Sequence, residues 1–147
     1  MTSVASILAE KGYAVRRVGT GETVFEAVRR MVAHNVGALV VIDPDDGGRL
    51  VGIITERDYL RRIVLEGRSS KTTFVEEVMT RNVLAVSADT SVEQCMRIMT
   101  EQRIRHLPVM ERNKLAGIIS IGDVVKAQIS DHRSSIEQLT QYIQGRA

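Results

Sequence analysis

GIITERD begins at Gly52 and GIISIGD begins at Gly117, and the echo runs well beyond these two phrases. Residues 23–34 read TVFEAVRRMVAH and residues 91–102 read SVEQCMRIMTEQ, which align with a shift of 68 residues. The apolar set Val24, Ala27, Val28 and Met31 recurs as Val92, Cys95, Met96 and Met99. Both sets follow the i, i+3, i+4, i+7 spacing of a helix with one buried face. Each helix opens on a hydroxyl residue followed three positions later by Glu or Gln, Thr23…Glu26 and Ser91…Gln94, a capping-box frame. A chain that writes one unit twice is expected to fold as two like units. A unit of about 60 residues buries little surface alone, so the two copies are expected to pack together.

Short apolar runs follow each helix, ALVVI at 38–42 and HLPVM at 106–110. Turns come next, DPDDGG at 43–48 and ERNK at 111–114, and then LVGIIT at 50–55 and LAGIIS at 115–120. Their length and β-branched content read as strands. Pro108 cannot donate to a ladder, so it is expected at a sheet edge or a strand start. Second helices start at Glu56 and Ile121, and extended segments, VRRV at 15–18 and VLAV at 83–86, precede the first helices. The pattern predicts an α+β (α/β) fold of two β-α-β-β-α repeats whose sheets pack as a pseudo-twofold intramolecular dimer. The division is placed at 1–75 for the first repeat with its N-terminal segment and linker, and at 76–147 for the second with a helical tail. Residues 66–79 read as a loop and a short linker helix. In the tail, Ile136, Leu139 and Ile143 stand at helical spacing and are expected to lie on the core or on a partner chain.

Composition narrows the function. Aromatic residues are 3% of the chain and Trp is absent, so the core must be aliphatic. A net charge of +2 lacks the strong basic excess of a nucleic-acid surface. The single cysteine, Cys95, excludes an internal disulfide and suits a reducing compartment. It lies on the apolar face of its helix and reads as a small buried hydrophobe. No apolar run approaches the roughly 20 residues that span a bilayer. The start MTSVASILAEKG has neither a basic leader nor a long apolar stretch, so a cytoplasmic protein with no membrane contact is expected. His34, His106 and His132 show no metal-ligand spacing, and no nucleophile–base pair is evident.

The twin T-E-R-D and S-I-G-D phrases have two compatible readings. As helix starts, Thr55 and Ser120 are N-caps, with Asp58 and Asp123 at the third position, where negative charge suits the helix dipole. As a ligand site, each carboxylate accepts hydrogen bonds from two neighbouring sugar hydroxyls, and a hydroxyl with helix-start N–H groups holds a phosphate. The copies differ just before their first long strand, where the second has Arg105 and His106 and the first has Gly37 and Ala38. Arginine is always charged and grips phosphate through two parallel bonds. The plain alternative is that Arg105 faces solvent and His106 is a strand residue.

The two GII[TS]xxD frames, IRHLPV at 104–109 and MTRNVLAVSADTSV at 79–92 together resemble the CBS domain family, named for cystathionine β-synthase. The likeness spans about residues 11–130 and is to the tandem pair, or Bateman module, of stand-alone bacterial and plant-organelle proteins. It implies clefts between the copies that bind adenosine-containing ligands, AMP foremost, with ADP, ATP, NAD or S-adenosylmethionine as the others. It implies a regulatory role, with no enzymatic activity and no catalytic cofactor. Ligand contacts implied in the second copy are Ser120, Ile121, Asp123, Arg105 and His106, with Thr80, Val83 and Ala85 from the stretch before it. Those implied in the first copy are Thr55, Arg57 and Asp58, with Tyr13 and Val15. A disc-like homodimer and a regulated partner protein are implied as well. Four functions then compete. They are an adenine-nucleotide sensor, an NAD(H)-binding redox-linked regulator, a weak nucleotide hydrolase and a nucleic-acid binder.

Overall fold

The computed structural model describes residues 2–12 and 15–145, with the side chains of 134, 135, 138 and 141–145 outside the description. In chain order the elements begin with α1 (Val4–Lys11), β1 (Arg17–Gly19), α2 (Val24–His34), β2 (Ala38–Asp43) and β3 (Arg49–Thr55). Then come α3 (Glu56–Tyr59), continued by a π-helical turn over Leu60–Val64, and α4 (Val75–Val78). The chain closes with α5 (Val92–Gln102), β4 (His106–Glu111), β5 (Lys114–Ser120) and α6 (Ile121–Gly145). The fold is mixed α/β with two small sheets, as the repeats predict. Two compact units form, one from Ala14–Leu84 and the other from Met1–Tyr13 with Ala85–Ala147.

The unit of Ala14–Leu84 carries a three-stranded sheet in the order β1-β2-β3, with β1 parallel and β3 antiparallel to β2. Its core gathers Val18, Val24, Ala27, Met31, Leu39, Val41 and Ile54, so the apolar stripe of α2 faces inward as its spacing predicts. Thr23 caps α2 by accepting from the Glu26 N–H at 3.2 Å. The expected reciprocal bond is absent, because Glu26 turns to two arginines instead. Arg29 reaches it at 2.8 and 2.5 Å and Arg30 at 3.2 Å. The Arg29 hydrogen bonds, ahead of the two arginines' charge, outweigh burial and hold the Glu26 carboxyl down at about 2. In α5 the expected box is complete. Ser91 Oγ accepts from Gln94 N–H at 3.1 Å, and Gln94 Oε1 accepts from Ser91 N–H at 3.2 Å.

The other unit repeats the hairpin, β4 against β5, with its register shift between Val109 and Met110 matching the one between Val41 and Ile42. Its first strand is missing. Within the segment expected to be extended at 83–86, Val86 alone bridges to β4, at Val109, so that segment forms no strand. Pro108 explains the difference. In the first copy the Val40 N–H donates to the Arg16 carbonyl at 3.3 Å. Pro108 stands 68 residues after Val40, at the same place in the repeat, and has no N–H to give. It keeps the outer edge of β4 short, in line with the edge expectation.

Each unit is completed by a short helix that precedes the other copy. The Val75 N–H at the start of α4 donates to the Glu22 carbonyl at 2.8 Å. The Val4 N–H at the start of α1 donates at 2.9 Å to Thr90, the residue equivalent to Glu22. Val75 and Val78 enter one core, and Val4, Ile7 and Leu8 enter the other. These packings account for the glycine of the twin phrase. A Cβ on Gly52 would lie 2.7 Å from Met79 Sδ and 2.8 Å from the Thr80 carbonyl, and one on Gly117 would lie 2.7 Å from Leu8 Cδ2.

Helix α6 buries Val124 and Ala127, while Ile136 and Leu139 are exposed, so that part of the tail does not pack on its own unit's core. The Ile143 side chain lies outside the described residues. Cys95 is fully buried, and burial pushes its thiol pKa up. Among the described residues no helix is long and apolar enough to cross a membrane.

Candidate functional site

Both twin phrases fold into the turn between a return strand and a helix, and each unit builds its own cluster there. In the unit of Ala14–Leu84, β3 delivers Thr55 to the start of α3. Thr55 Oγ1 accepts from the Asp58 N–H at 3.2 Å, and Asp58 Oδ2 accepts from the Thr55 N–H at 3.0 Å. Thr80 joins them. Its backbone pairs with Ile53 in both directions, at 3.0 and 2.9 Å, and its hydroxyl donates to Asp58 at 3.2 Å. Thr80 precedes the second copy in sequence, yet it serves the first copy's carboxylate. Asp58 is half-buried and Arg57 exposed. A cleft of about 340 Å³ in this unit is lined by Arg49, Leu50, Val51, Arg81 and Val83.

In the other unit, β4 and β5 lie in register with His106 opposite Ser120. The Ile121 N–H donates to the Arg105 carbonyl at 2.8 Å, which ties the start of α6 to the start of β4. Asp123 Oδ2 accepts from the Ser120 N–H at 2.8 Å, and Ser120 Oγ accepts from the Asp123 N–H at 3.2 Å. Lys11, at the end of α1, donates to Asp123 Oδ2 at 2.7 Å and to the Ile118 carbonyl at 2.9 Å. Burial is the largest single influence on Asp123 and opposes its ionisation. The bonds from Lys11 and Ser120, with the lysine's charge, outweigh it and hold the carboxyl below the usual range. Arg105 is exposed and His106 half-buried.

Of the residues marked from sequence, one unit thus assembles Ser120, Ile121, Asp123, Arg105 and His106, and the other assembles Thr55, Asp58 and Thr80. Val83 belongs to the cleft wall rather than to either carboxylate cluster. Ala85 is exposed and Val15 half-buried, each outside those hydrogen-bonded groups, and Tyr13 lies outside the described residues. Sequence reading missed Lys11. A helix signal was present there in Ser3, in Val4, Ile7 and Leu8 at i, i+3, i+4, and in Gly12 after the end. Nothing local ties it to Asp123, 112 residues away. Among the described residues no three His, Cys, Asp or Glu side chains are grouped to hold a metal.

The family model described as "CBS domain" matches residues 4–65 and 75–130. The mitochondrial CBS domain-containing protein CBSX3 of Arabidopsis thaliana is 49% identical over 128 residues, which are 86% of this chain and 62% of that protein. A solved structure described as a putative signal-transduction protein with CBS domains, from Burkholderia ambifaria, is 47% identical with a TM-score of 0.83. That match covers 88% of this chain and 96% of the other. The CBS domain pair of protein MJ0100, solved in complex with 5′-methylthioadenosine and S-adenosyl-L-methionine, is 26% identical with a TM-score of 0.76. It covers 89% of this chain and 98% of the other.

Proposed function

The chain belongs to the CBS domain family, and from that premise we propose that it is a regulatory module whose two aspartate clusters bind an adenosine-containing ligand and report it to a partner protein. One observation carries the reading. Each unit presents, where a return strand meets a helix, a half-buried carboxylate bracketed by a hydroxyl, Thr55 with Asp58 and Ser120 with Asp123. A carboxylate so placed accepts both hydroxyls of a ribose, and the adjoining N–H groups of the helix start suit a phosphate. The complex of the MJ0100 domain pair with two adenosine derivatives supports the ligand class.

The ligand contacts in this reading are Ser120, Ile121, Asp123, Arg105 and His106 in one cluster and Thr55, Arg57, Asp58 and Thr80 in the other. Val83, Ala85, Tyr13 and Val15 supply apolar surface for the base. AMP leads the ligands, ahead of ADP, ATP and NAD(H), and the module performs no reaction of its own. Two modules pair as a homodimer in the cytoplasm, and the exposed Val125, Ile129, Ile136 and Leu139 of α6 are apolar surface such pairing can cover.

The test is a thermal-shift panel with AMP, ADP, ATP, NAD, NADH and S-adenosylmethionine on the wild type, Asp123→Ala and Asp58→Ala. A ligand at about 100 times its Kd adds about 2.7 kcal/mol, a rise of several degrees. Shifts that shrink in an aspartate variant support the reading and rank the ligands, including NAD(H) against AMP. No shift with any of the six would reduce the twin phrase to a pair of helix caps.

A further inference from the structure

The two carboxylate clusters are near copies in backbone and opposites in charge. In the first copy, α3 opens Glu56-Arg57-Asp58, one net negative charge, and Asp58 receives neutral donors, the Thr55 N–H and the Thr80 hydroxyl. No cation contacts it among the described residues, because Arg57 makes no ion pair there. In the second copy, Ile121 and Gly122 replace Glu56 and Arg57. Lys11 lies on Asp123 at 2.7 Å, and Arg105 at the neighbouring strand end has no ion pair among the described residues. Lys11, Arg105 and Asp123 together carry one net positive charge. The two clusters therefore differ by two charges.

The Lys11 placement is specific. Its ammonium group has three donors, and Asp123 Oδ2 and the Ile118 carbonyl take two of them. Asp123 Oδ2 accepts from both Lys11 and Ser120, while no donor reaches Oδ1 among the described residues. The carboxylate can therefore accept a sugar hydroxyl at Oδ1 while the lysine stays in place. The lysine keeps a third donor, and its charge, to offer an anionic group of the same ligand.

We propose that Lys11 is a specificity-determining residue of the second-copy cluster. It cancels the charge of Asp123 and leaves Arg105 unopposed, so that this cluster selects adenosine ligands by their phosphate charge. The first-copy cluster takes the adenosine part with little regard to phosphate. This rests on the nucleotide reading above and assigns the two sites different ligand preferences.

The experiment is calorimetric titration of the full chain with ATP and with adenosine. Asp58→Ala is present throughout so that the second-copy cluster is read alone. The Asp58→Ala protein is expected to prefer ATP. Adding Lys11→Met should cut the ATP affinity at least about fivefold while leaving adenosine within about twofold, and Lys11→Arg should restore the preference. Loss of one folding contact would weaken both ligands alike, so the ratio separates selectivity from stability. An unchanged ratio in Lys11→Met overturns the proposal, and so does tighter binding, which would make Lys11 a competitor for Asp123. If neither ligand binds the wild-type chain, the nucleotide reading itself fails and this proposal with it.

Discussion

Gly52→Ala tests the packing of the twin phrase most directly. The added methyl would sit 2.7 Å from Met79 Sδ and 2.8 Å from the Thr80 carbonyl oxygen. Met79 is buried, and the Thr80 carbonyl accepts the Ile53 N–H at 3.0 Å, so relief means moving a backbone held by two hydrogen bonds. Overpacking of this kind costs about 1–3 kcal/mol, and strain in that hydrogen-bonded pair adds about 1 kcal/mol. A total of about 2–4 kcal/mol corresponds to a fall in Tm of about 6–12 °C for a chain of this size. Gly117→Ala should cost less, because its methyl meets the flexible end of Leu8 rather than main chain. Scanning calorimetry on the two variants reads both numbers. A Gly52→Ala protein that melts with the wild type, or one more stable than Gly117→Ala, would refute the argument. In a double-mutant cycle, Leu8→Ala should couple favourably with Gly117→Ala. Met79→Ala should rescue Gly52→Ala only weakly, since the Thr80 carbonyl remains.

The Lys11–Asp123 pair predicts an acid-sensitive stability. The Asp123 carboxyl is held lower in the folded chain than in the unfolded one, so its contribution is complete above the unfolded value of about 3.9. It is lost as pH falls through the folded value. Urea midpoints measured from pH 7 downward should therefore fall less steeply below about pH 4 in Asp123→Asn than in wild type. Ser91→Ala removes the hydroxyl from a complete capping box and should cost about 1 kcal/mol, read from the same urea curves.

What the sequence made legible was local. The stripe Val24, Ala27, Met31 and its echo Val92, Cys95, Met99 predict two helices and their buried faces, because a helix's periodicity is written within a dozen residues. The starts at Glu56 and Ile121 were legible for the same reason, since Thr55 with Asp58 and Ser120 with Asp123 cap within one turn. The half-formed box at Thr23 shows the limit of local reading, for Glu26 has arginines at the next two helical contacts and chooses them. What stayed hidden depends on which segment packs where. Helix α1 carries its own start and stop signals, but nothing near Val4 or Leu8 says that they enter the core of the distant copy. The same exchange places Thr80 on Asp58 and Lys11 on Asp123, so the two carboxylates receive a hydroxyl and an ammonium group from segments the repeat does not align. A repeat therefore predicts the backbone of two equivalent sites and leaves their chemistry to the segments that cross over. Pro108 makes the same point within the repeat itself. One missing N–H at the position of Val40 removes a strand from one copy, although every flanking residue on β4 keeps its counterpart on β2.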